Sequence, residues 1–167
     1  MKMELIQPFI NAMDTVLAQT TDSAPKVAGL TMEEEAYRRK GPAALIAIHG
    51  EIEGRMVLDM DEDTAMKIAG HLAGGDVPPS ETVVRETICE LANMVIGNAV
   101  TLLNDRGFRF KVLPPEVHNA GKCDAAEEDR EVMVLEFETQ EGNVYMNIAL
   151  HYLKKNEHDH HAAVMLG

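Results

Sequence analysis

The sequence predicts an α+β domain in which a largely antiparallel sheet packs against helices, and three observations carry that expectation. Strand-like runs come in hairpin pairs rather than singly between helices, which argues against a doubly wound parallel sheet. A helix-then-hairpin unit occurs twice: Asn11-Ala12 and Val16 recur 87 residues on as Asn98-Ala99 and Leu103, and Glu53-Gly54 with Val57 recurs 88 residues on as Glu141-Gly142 with Tyr145. Between the copies lies a further helix, and the second copy opens with the longest helical pattern in the chain.

Taken in order, Phe9, Met13, Val16 and Leu17 have helical spacing, and Pro8 suits a first helical position, which places a helix near 8–19. VAGLTM reads as a strand. AALIAIHG and the run Arg55–Met60 read as a hairpin turning at Glu53-Gly54. Asp61 caps a helix through Met66, Ile68, Ala69 and Leu72 that stops at Gly74-Gly75, and Pro78-Pro79 links it to the next element. Ser80 then caps SETVVRETICELANMVIGNAVTLLNDRG, where Val84, Ile88, Leu91, Val95 and Leu102 form the apolar stripe and Gly107 ends the helix. FKVLPPEVH and an acidic loop, GKCDAAEEDR, precede two further strands, VMVLEFE and VYMNIALHY, joined by Thr139-Gln140-Glu141-Gly142.

At 167 residues the chain is one domain, assigned to 1–155, followed by a His-rich tail over 156–167 that reads as solvated and disordered. Fifteen Lys+Arg against 28 Asp+Glu leave a formal charge of −13, which repels phosphate backbones and anionic lipid, so neither nucleic acid nor membrane is an expected partner. No apolar run approaches the roughly 18 residues of a membrane span, and Pro8, Asn11 and Asp14 interrupt any signal-peptide core, so the chain reads as cytoplasmic. Cys89 and Cys123 form no CxxC pair and read as buried or half-buried thiols.

The long helix carries the chemistry. At 100° per residue Glu86, Glu90, Asn93, Gly97 and Thr101 gather opposite the apolar stripe. Glu90 and Asn93, three apart, put a carboxylate and a carboxamide side by side on a rigid rod. Gly97 costs helix stability and adds no side chain, as a point of close approach by another molecule requires. Taken alone, such a pair is also what an ordinary solvated helix face presents.

The string ETICELANMVIGNAVTLL resembles the signature helix of the CheC/CheX/FliY family of response-regulator phosphatases: Glu90, Asn93, the apolar Met94-Val95, then Gly97-Asn98-Ala99. The opening IQPFINAMDTVL, the hairpin with Gly54 leading into VLDMDEDTAMKIAGHLAG, and Pro114-Pro115 are similar to CheX in particular, so that the likeness spans about 4–153. The resemblance implies a CheC-like fold, an internal duplication, and Glu90 and Asn93 as the catalytic pair acting on the aspartyl phosphate of a CheY-like regulator. It implies no cofactor or metal of the protein's own, since the regulator supplies Mg²⁺ and a Lys. The first-repeat equivalents of the pair, Met3 and Ile6, cannot do this chemistry, which points to the CheX branch with one site per subunit and to a homodimer. The kinship with FliY implies an alternative, a non-catalytic module that binds a regulator or a flagellar switch.

Other candidates carry less. The tail residues His158, His160 and His161 have metal-ligand chemistry without an apolar anchor, and His49, His71, His118 and His151 share no motif. The acidic runs Glu33–Glu35 and Glu127–Asp129 read as solvated charge, and Met94, beside the pair, as a cushion for a docked partner. Strands such as VYMNIALHY, apolar at successive positions, are expected to need cover from a second subunit.

Overall fold

The computed structural model describes residues 3–33, 39–75, 78–118 and 132–152. Ten elements follow in order: α1 (Met3–Thr21), β1 (Lys26–Glu33), β2 (Ala43–Gly50), β3 (Ile52–Met60), α2 (Glu62–Leu72), α3 (Glu81–Asp105), β4 (Phe110–Val112), β5 (Glu116–His118), β6 (Val132–Thr139) and β7 (Gly142–Tyr152). The α+β class holds, and every strand pairing is antiparallel. Residues 119–131, which include Cys123 and the acidic loop, and residues from 153 onward, which include the tail 156–167, lie outside the described residues.

Helix α1 begins five residues earlier than Pro8, which stands inside it. A proline there has no N–H for the carbonyl four residues back. That carbonyl, Glu4 O, instead accepts from Arg106 Nη1 at 2.9 Å, and the Glu4 carboxylate accepts from the Tyr152 hydroxyl, so tertiary partners carry the helix past its proline. The α2 and α3 starts are as expected. The Asp61 carboxylate accepts from Thr64 N at 2.7 Å and Ser80 Oγ from Val83 N at 3.2 Å. The Asp61 carboxyl is held below its ordinary pKa by that backbone bond first and by the Thr64 hydroxyl second.

The first hairpin turns at Gly50-Glu51, not at Glu53-Gly54, which lies inside β3. The tripeptide Leu113–Pro115 splits the edge strand: β4 pairs with His49 and its neighbours, β5 with Ala44 and its neighbours. The sheet order is β1-β6-β7-β3-β2-β4, with β5 also on β2. Strand β7 is therefore central, buried between β3 and β6, and its apolar run is covered within the chain rather than by a second copy.

The sheet records the duplication. Exchanging β1 with β4/β5, β6 with β2 and β7 with β3 leaves its order unchanged. Leu58 and Met146, 88 apart, are paired with each other, so the pseudo-two-fold axis passes between them. Gly54 and Gly142, also 88 apart, share a positive φ of 142° and 133°.

Helices α1, α2 and α3 cover one sheet face, where Phe9, Ile46, Met56, Leu58, Phe137 and Met146 are fully buried together with the inner sides of the helices. Each such side chain is worth roughly 1.5–3 kcal/mol of burial. The other face carries a smaller apolar cluster, Val132, Val134 and Ala149, beside buried polar groups. There the Asp59 carboxylate accepts from the backbone N–H groups of Lys40 and Gly41 at 2.7 and 3.2 Å, and Arg55 donates to Asn147.

Candidate functional site

Helix α3 runs 25 residues, about 37 Å at 1.5 Å per residue. Val84, Ile88, Leu91, Val95 and Ala99 press into the core, but the last stripe position belongs to Leu103, 1% exposed, and not to Leu102, 37% exposed. Rotation accounts for the change. The buried row drifts along the helix: Ala92, Ile96, Ala99 and Leu103, all buried, follow at steps of four, three and four, and Leu103 continues that row where Leu102 does not.

The opposite face is open. Glu86, Glu90, Asn93, Gly97 and Thr101 are all exposed, as expected from the spacing. Glu90 and Asn93 are brought together as neighbours, their Cβ atoms about 5–6 Å apart at this separation. Among the described residues neither side chain has a hydrogen bond or an ion pair, so both are available to another molecule. The polar groups beyond them are committed: Asn98 Nδ2 donates to Met94 O at 3.1 Å, and Thr101 Oγ1 donates to Gly97 O at 3.0 Å. A Cβ added at Gly97 would meet nothing within 4 Å. Nothing in the packing of the described residues asks for that glycine.

Cys89, beside Glu90, is half-buried, and burial pushes its thiol up against the opposing pull of Arg85, which makes it a poor nucleophile. Met3 is exposed on α1, whereas Ile6 is fully buried, so the first repeat presents no comparable pair. Of the histidines, His71 Nε2 lies 3.1 Å from Asp22 Oδ2, tying the end of α2 to the end of α1, and His118 lies 3.6 Å from Glu116. His49 lines a concave site of about 580 Å³ with Asn104, Arg109 and Lys111. No local spacing announces that grouping, because the β2–β4 pairing joins residues about 60 apart in the chain.

Residues 42–138, which contain all of α3, match the model of the chemotaxis phosphatase CheX family. This chain belongs to the CheX family. Its fold is shared with a CheC-like superfamily protein from Shewanella at TM-score 0.79 and 24% identity, over 90% of this chain and 99% of that one. The CheX–CheY–BeF3–Mg²⁺ complex from Borrelia burgdorferi matches at TM-score 0.72 and 25% identity, over 87% and 97%. FliY from Thermotoga maritima matches at TM-score 0.67 and 18% identity, over 87% and 86%. None of the curated proteins matches the sequence significantly. No helix among the described residues of this CheX-family chain is long and apolar enough to cross a membrane.

Proposed function

We propose that this protein hydrolyses the aspartyl phosphate of a CheY-like response regulator. The observation that supports the reading best is the exposed, unpartnered Glu90 and Asn93 beside a glycine that its own fold does not require, in a member of the CheX family. The regulator brings its Mg²⁺ and its active-site Lys, which already neutralise the phosphoryl group. What the phosphatase adds is a positioned water. The Asn93 amide oxygen accepts from the water and its NH₂ donates to a phosphoryl oxygen, placing the water in line with the P–O bond to the aspartate. Attack on phosphorus breaks that bond, regenerates the aspartate carboxylate and releases inorganic phosphate. Glu90 pairs with the regulator's Lys and holds α3 in register.

The direct test is a time course of phosphate loss from a phosphorylated CheY-like regulator, with and without the protein. Acceleration is the expected result. Docking without acceleration would sink the phosphatase reading and favour the regulator- or switch-binding module that the fold shared with FliY allows.

Gly97→Ala separates stability from docking on this face. Alanine in an exposed helix interior gains about 0.5–1 kcal/mol over glycine, which raises the melting temperature by roughly 1–4 °C. The new methyl stands in the path of the partner, so KM for the phosphorylated regulator should rise several-fold. A stabilised variant with unchanged KM would show that no close approach occurs at Gly97.

A two-fold homodimer completes the proposal. Strand β1 pairs only with β6 among the described strands, and its Val27 and Leu30 are 53% and 48% exposed. An open edge with apolar side chains is an aggregation liability unless paired. Joining two copies there leaves α3 of each free to dock one regulator. Light scattering should return about twice 18.4 kDa, and a monomeric mass would refute the assembly.

A further inference from the structure

The chain carries 11 methionines. Among the described side chains Met13, Met56, Met60, Met133 and Met146 are buried, and Met3, Met66 and Met94 are exposed. Solvent access governs how readily a side-chain sulfur is oxidised. Met3 opens α1, and Met66 lies on α2, lining a concave site with Pro79 and Val84. Met94 alone of the three stands on the outward side of α3. It directly follows Asn93 and sits four residues from Glu90, about 40° of rotation away.

Its neighbours on the helix give it little cover. Gly97, three residues on, has no side chain, and a Cβ built there meets nothing within 4 Å. Asn98, four on, is folded back onto the helix, its Nδ2 donating to Met94 O at 3.1 Å. Glu90, four back, is itself exposed. The cysteine of α3 competes poorly for an oxidant. Cys89 is half-buried and burial pushes its thiol up, so it lacks the thiolate that reacts with a peroxide, whereas a thioether has no proton to lose.

We propose that Met94 is a redox modification site: a hydroperoxide converts its thioether to the sulfoxide, and the oxidised side chain keeps the regulator from docking. The inference rests on the proposed function, since the docked regulator is what Met94 touches. A sulfur lone pair attacks one peroxide oxygen and the O–O bond breaks. The sulfur, oxidised by two electrons, keeps that oxygen; its proton passes to the other oxygen, which leaves as water or an alcohol. Unoxidised, Met94 offers a flexible apolar contact that adapts to a partner's shape. Oxidised, it carries an oxygen of partial negative charge beside Glu90, the carboxylate that pairs with the regulator's Lys. Docking would strip the water from that oxygen, and a buried polar group without a partner opposes burial. Asn98 is the only side-chain donor three or four residues from Met94, and it is committed to the backbone. Methionine sulfoxide reductases return the thioether with two electrons from thiols, which makes the block reversible.

The test oxidises the protein alone with hydrogen peroxide, removes the excess with catalase, and maps the added oxygen by peptide mass spectrometry. Binding of the cell's CheY-like regulators, activated with beryllofluoride and Mg²⁺, and hydrolysis of the phosphorylated forms are measured before and after, for wild type and Met94→Leu. Wild type should gain oxygen at Met94 ahead of the buried methionines, bind about tenfold or more weakly, and show the loss in KM rather than kcat. Treatment with methionine sulfoxide reductases should restore it. Met94→Leu should pass through the same oxidation with its own starting affinity unchanged. Three results would each overturn the modification site while leaving an active wild type as a phosphatase: Met94 unmodified when Met3 and Met66 are oxidised, unchanged binding by protein oxidised at Met94, or an equal loss in Met94→Leu. A wild type that binds without accelerating hydrolysis, and loses that binding on oxidation at Met94, would support the site and overturn only the phosphatase. A wild type that binds no CheY-like regulator would overturn both.

Discussion

Replacing Asn93 with alanine is expected to lower the stimulated hydrolysis of a phosphorylated regulator by about 10²-fold or more, the scale on which misplacing a reacting atom acts. The loss should be confined to chemistry. Asn93 is exposed, makes no bond within the described chain, and sits mid-helix, where alanine is the better helix former. The folded state should thus be at least as stable, and binding of a beryllofluoride-activated regulator close to that of wild type. Asn93→Asp keeps the shape but removes the NH₂ donor and sets a negative charge against the phosphoryl oxygens, so it should be equally inactive. Glu90→Ala differs in kind: it deletes one side of a charge pair, and its cost should fall largely on affinity. The measurement is phosphate release under single-turnover conditions with the protein in excess, which separates the two. A wild-type rate for Asn93→Ala would remove the water-positioning role and leave α3 a docking surface only.

What was legible in the sequence followed from short-range physics. Short apolar runs bounded by Gly and Pro revealed the strands, the side-chain oxygens of Asp61 and Ser80 marked two helix starts, and a 100° step placed Glu90 and Asn93 together on one face. The misreadings fall where distant residues decide. Pro8 is a reasonable helix start until Arg106, about 100 residues away, takes the carbonyl that the proline leaves free. The apolar run of β7 looks exposed in one dimension and is central in three, because β3 and β6 close over its edges. Glu53-Gly54 has the composition of a turn, yet its glycine serves a strand. Likewise the grouping of His49 with Arg109 and Lys111 depends on β2–β4 register, which no local pattern encodes.

That strand glycine gives the largest expected effect on stability. Gly54 adopts φ 142°, a conformation that costs an L-residue of order 1–3 kcal/mol. A Cβ built there would overlap the carbonyl oxygen of Ala149 and lie 2.8 Å from its carbonyl carbon. Those are backbone atoms of β7, the central partner, and β3 is held on its other side by β2, so neither strand can withdraw without breaking a ladder. Strain and overlap together should cost about 3 kcal/mol or more, a large share of the 5–15 kcal/mol of a typical domain. At roughly 2–4 °C per kcal/mol for a chain of this size, Gly54→Ala should melt about 10 °C lower or accumulate as insoluble protein. Its pseudo-symmetric counterpart sets the scale. At Gly142 the added Cβ meets side-chain atoms of the buried Thr64 rather than backbone, so Gly142→Ala should show the conformational cost with a smaller overlap than at Gly54. Thermal melts of the two variants measured side by side should therefore rank Gly54→Ala well below Gly142→Ala. Equal losses would mean that φ alone sets the cost at both positions, and a Gly54→Ala protein as stable as wild type would refute the close packing of β3 on β7 about the pseudo-two-fold axis.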